Sequence, residues 1–72
     1  MSLNSITAKE LANIGVNLEI RDGLNSITIK ELVKIVSSKG NHIKVSSKCI
    51  NSITAKEIAK IGGANLTIII ED

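Results

Sequence analysis

The 72-residue chain contains no Phe, Tyr, Trp or Pro, one Cys and one His. Without aromatic rings there is no platform on which bases or sugars can stack, and no aromatic anchor for a recognition surface. Any core must be aliphatic, and Ile at fourteen positions supplies most of it. A lone Cys49 excludes an intramolecular disulfide and a Cys-based metal site. Arginine is almost missing too: eight Lys and Arg21 face seven acidic residues, giving a formal charge of +2 with the signs interspersed. A duplex-binding domain would cluster Arg and Lys on one face. The longest apolar run, Ile68 to Ile70, is far short of the roughly 20 residues a membrane span needs. Met1-Ser2-Leu3 shows no basic segment followed by an apolar one, so no signal peptide is read and a cytoplasmic location is expected. At this size a chain buries only about 60% of the surface its unfolded form exposes, which argues against a large enclosed active site. With no disulfides to compensate, repetition or self-association must add stability.

Repetition is present. Asn4-Ser5-Ile6-Thr7-Ala8-Lys9-Glu10-Leu11 returns as Asn25-Ser26-Ile27-Thr28-Ile29-Lys30-Glu31-Leu32 and as Asn51-Ser52-Ile53-Thr54-Ala55-Lys56-Glu57-Ile58. The starts are 21 and 26 residues apart, and residues 1–72 read as one domain of three units, about 3–23, 24–49 and 50–72. Within each unit Thr7, Thr28 and Thr54 are expected to cap a helix, with Glu10, Glu31 and Glu57 three residues on completing a capping box. Ile6, Ile27 and Ile53 would staple onto Leu11, Leu32 and Ile58. The spacing predicts helices over about Ala8–Ile14, Ile29–Ser38 and Ala55–Ile61, with Gly15 and Gly62 ending the first and third. Expected buried positions are Ala8, Leu11, Ala12 and Ile14 in the first, and Ile58, Ala59 and Ile61 in the third. The insertion near Val36–Gly40 lengthens the middle helix.

Each helix is followed by an alternating segment: Val16 to Arg21, His42 to Ser46 and Ala64 to Ile70. Period-two patterning with β-branched residues marks half-buried strands. Strict helix-strand succession implies parallel pairing through crossovers. The expected architecture is α/β: three helix-strand repeats stacked as a short solenoid, with a three-stranded parallel sheet and all helices on one face. Strands covered on both sides would be continuously apolar, and these are not. The run Leu18-x-Ile20…Asn25-x-Ile27…Leu32-x-x-Ile35 resembles the leucine-rich-repeat class. It departs from that pattern by two extra residues between strand and Asn and by its Thr-x-x-Glu element. The resemblance implies stacked strand-turn-helix coils that bind protein partners on the strand face.

Aligning the repeats places Asn17, His42 and Asn65 in one row of the open sheet face, Glu19, Lys44 and Thr67 in the next, and Arg21, Ser46 and Ile69 in a third. This face is a candidate surface for an extended peptide or a protein. The alternative is a solvated face on which Glu19 and Lys44 pair across strands, worth a few tenths to about 1 kcal/mol. His42 has no Ser, Cys or carboxylate at a spacing that builds a catalytic constellation. Lys48 would favour a Cys49 thiolate, yet a free cysteine more often packs as a small hydrophobe. Stacked Asn4, Asn25 and Asn51 are expected to satisfy backbone groups. Gly62-Gly63 stands between helix and strand in the reverse order from a nucleotide-binding fingerprint.

Neither end carries the polar cap that a solenoid needs. Thr67 to Ile70 would form an apolar edge strand, a template for pairing with another chain. The expectation is a self-associating protein-interaction or structural module, first as a two-fold dimer through Thr67–Ile70 involving Ile69. It is expected to have no catalytic activity and no cofactor, and its other protein partner is unidentified. The alternative is weak nucleic-acid binding through Lys30, Lys34, Lys39, Lys44 and Lys48.

Overall fold

In the computed structural model, which describes residues 5–21 and 24–71, each repeat forms a helix followed by a short strand. The order is α1 (Ser5–Ile14), β1 (Leu18–Ile20), α2 (Ser26–Ser38), β2 (Ile43–Ser46), α3 (Ser52–Gly62) and β3 (Leu66–Ile69), with single 3-10 turns at Ser47–Cys49 and Gly63–Asn65. The strands pair in parallel, β1-β2-β3, as an open sheet. No helix among the described residues is long and apolar enough to cross a membrane.

The helices start three residues before the expected points. Asn25 and Asn51 are the caps, with extended backbones and side-chain oxygens that accept from the Thr28 and Thr54 amides at 2.8 Å. Asn caps a helix as well as Thr does. In the second and third repeats the threonines thus lie within the first turn, their amides taken by Asn25 and Asn51, and the expected capping boxes do not form there. Glu31 and Glu57 reach across to the preceding helix, and Ile6, Ile27 and Ile53 stand 69%, 68% and 70% exposed. Asn4 lies outside the described residues.

The first helix ends at Gly15 with φ +106°, as expected, whereas the third runs through Gly62, one residue further than expected. Gly62 is itself helical and buried, and Gly63, at φ +52°, makes the turn. The reason is packing: a Cβ on Gly62 would meet Leu66 Cβ at 2.8 Å and Val33 Cγ1 at 3.0 Å.

The register matches Leu18, Ile43 and Leu66, then Glu19, Lys44 and Thr67, then Ile20, Val45 and Ile68. Ile43 and Val45 are fully buried with Ile29, Leu32, Val33, Val36 and Ile58, so the core sits around α2 and β2. Truncating such a residue to Ala costs about 2–5 kcal/mol. A chain of this size has about 4–11 kcal/mol in total, so the central repeat carries the fold. The outer repeats bury less than expected: Ile14 is 75% exposed, Ile61 38%, and Ala59 is exposed. Ile14 and Ala59 lie on the outward flanks of the outer helices, which have a neighbouring helix on one side only among the described residues. The strands are also shorter than the alternation implied, because Ala64 and Asn65 belong to the 3-10 turn.

Candidate interaction surfaces

On the sheet face away from the helices, Glu19, Lys44 and Thr67 stand in one exposed row, in the expected register. Much of the surrounding polar chemistry is spent within the molecule. Asn17 Oδ1 accepts from the His42 amide at 2.8 Å, and Asn65 Nδ2 donates to the Asn41 carbonyl at 3.0 Å. These are the two ends of one peptide unit, so the entrance to β2 is clamped from both neighbouring repeats. Asn41 extends the clamp by donating from Nδ2 to the Gly15 carbonyl at 2.6 Å. An amide side chain at a strand entrance satisfies backbone groups that the ladder leaves unpaired.

His42 Nε2 and Thr67 Oγ1 lie 2.6 Å apart and share a hydrogen bond across β2 and β3. Arg21, beyond the end of β1, folds back onto Glu19 at 2.9 Å, so Glu19 pairs with Arg21 and not across the strands with Lys44. Asn17, Leu18, Glu19, His42 and Lys44 line a shallow depression of about 450 Å³. The third expected row differs: Ser46 is 1% exposed, and Ile69 beside it is partly buried. The Ser46 hydroxyl donates to the Glu71 carboxylate, while Ser47 Oγ accepts from the Glu71 amide at 2.7 Å and donates to its carbonyl at 3.1 Å. The residues after β3 are thereby fastened over the end of β2. The sequence pattern did not signal this clasp, since Glu71 has no acidic counterpart in the other two repeats.

Cys49 is partly buried against the core, its sulfur 4.0 Å from the Ile20 carbonyl, and so ties the second repeat to the first. Among the described residues no three His, Cys, Asp or Glu side chains converge as a metal site would need.

The helix layer carries a polar ladder that the repeat pattern contained but that only adjacent helices reveal. Lys9 Nζ lies 3.1 Å from Glu31 Oε2, and Lys30 Nζ lies 2.9 Å from Glu57 Oε1. Both rungs join a Lys of one repeat to the Glu of the next. Lys30, one of the candidate phosphate-binding lysines, is therefore engaged within the protein.

At the open edge of the sheet β3 pairs only with β2 among the described residues. Ile68 and Ile69 are partly buried, on opposite faces of the strand, and Ile70 is 88% exposed. The chain matches no family model, no curated protein and no solved structure.

Proposed function

We propose that this chain is a short solenoid of three helix-strand repeats that acts as a self-associating protein-interaction module and not as an enzyme. The observation that supports it is the edge strand β3, with Ile68 and Ile69 on opposite faces, its outer edge unpaired among the described residues and Ile70 88% exposed beside it. An open apolar edge is a template for strand addition, and natural proteins blunt or cover such edges. Exposed Ile6, Ile14, Ile27 and Ile53 add aliphatic surface of the kind that interaction sites use. The leucine-rich-repeat resemblance points the same way, toward binding of proteins.

Light scattering at high micromolar concentration tests the reading. The expected mass exceeds 7.6 kDa. A mass that stays at the monomer value removes self-association.

A further inference from the structure

We infer that the partner of this module is a second copy docked head to tail, with the α1-β1 end of one chain continuing the row of repeats past the α3-β3 end of another. The inference rests on the self-association proposed above and specifies its geometry. Each helix has two flanks. One carries Lys9, Lys30 or Lys56 together with Ala12, Val33 or Ala59, and the ion pairs show that this flank turns toward the next repeat. The other carries Glu10, Glu31 or Glu57 and, four residues on and so on the same flank, Ile14, Ile35 or Ile61.

Within the chain the first junction brings Lys9, Ala8 and Ala12 of α1 to the flank of α2 that carries Glu31 and Ile35. There Ala8 and Ala12 are 7% and 0% exposed, and Ile35 is partly buried. At the two ends the same residue types stand uncovered. Ala59 is exposed at the α3 end, whereas Ile14 at the α1 end is 75% exposed. Neither Lys56 nor Glu10 has an ion-pair partner among the described residues. A junction built from Lys56, Ala55 and Ala59 against Glu10 and Ile14 of a second copy repeats the first internal junction residue type for residue type. It also complements charge, as both existing rungs do.

The strands follow. β1 and β3 are the outer strands, and their free edges face opposite ways along the sheet. Parallel pairing of β3 with β1 of a second copy continues the β1-β2-β3 order and sets Leu66 beside Leu18 and Thr67 beside Glu19. Such a contact is heterologous. It leaves one free end on each side, so it propagates or closes into a ring instead of stopping at a two-fold dimer.

The test uses Ile14→Glu and Ala59→Glu in the full chain. Both sites are exposed, so both variants keep the wild-type circular dichroism. Each forces a longer charged side chain into a contact that packs Ala against Ile, and each is expected to weaken self-association by about tenfold or more. Mixed in equal amounts, the intact Ala59 end of the first variant meets the intact Ile14 end of the second. The expected product is a one-to-one heterodimer that grows no further, read by sedimentation velocity. If both variants associate as the wild type does, the head-to-tail junction is overturned while self-association stands. A wild-type chain that is monomeric throughout removes both.

Discussion

Replacing Gly62 by Ala sets two physical effects against each other, and the structure decides between them. Gly62 has helical dihedrals, φ −87° and ψ −35°, so Ala introduces no backbone strain there. On intrinsic helix propensity Ala would stabilise by roughly 1 kcal/mol. The new methyl, however, would stand 2.8 Å from Leu66 Cβ and 3.0 Å from Val33 Cγ1. Leu66 Cβ cannot rotate away, because it is fixed by a backbone that pairs with Ile43. Relief requires α3 to move away from α2 or from the start of β3. Overpacking of this kind costs about 1–3 kcal/mol, which leaves a net loss of about 1 kcal/mol. For a domain of this size that is a fall in Tm of roughly 4–8 °C. Circular dichroism is the appropriate probe, since the chain has no aromatic fluorophore. The scans must be run at one protein concentration, because association shifts apparent stability. A variant that melts at or above the wild-type temperature would refute the close approach of α3 to Val33 and Leu66.

Two further stability changes are expected. Asn51→Ala removes the oxygen that accepts from the Thr54 amide and should cost about 1 kcal/mol in urea denaturation, while Thr54→Val, which keeps that amide and its acceptor, should cost less. The reverse order would restore the threonine as cap. Ser37 carries a buried hydroxyl without a hydrogen-bond partner among the described residues, so Ser37→Ala should be neutral or stabilise by up to about 1 kcal/mol. A loss of 1 kcal/mol or more would show that this hydroxyl has a partner.

The repeat pattern made the main architecture legible. Three near-identical octamers followed by alternating segments were enough to place the helices, the parallel strands and the Glu19-Lys44-Thr67 row. Helix starts were misread by three residues because Asn-Ser-Ile-Thr-x-x-Glu contains two good caps. Local pattern alone cannot say whether a Glu turns back to its own amide or across to a Lys on the preceding helix. That choice depends on which helices are neighbours, a tertiary fact. The same limit applies to Gly62 and Gly63, where one glycine answers to packing and the other to backbone conformation. On the candidate face, Asn17 precedes β1 and Asn65 lies in the 3-10 turn before β3. Their spending on the Asn41-His42 peptide unit follows from strand-to-turn geometry that no residue type encodes. The clasp of Glu71 on Ser46 and Ser47 was invisible because no other repeat contains it.

The central claim is that the junction between repeats is reused between chains, and the most direct measurement is the weight-average mass of the wild-type protein against concentration by sedimentation equilibrium. The mass is expected to start at 7.6 kDa in dilute solution and to climb past the dimer as concentration rises. A plateau at the dimer would contradict head-to-tail growth, and a constant 7.6 kDa would contradict self-association altogether.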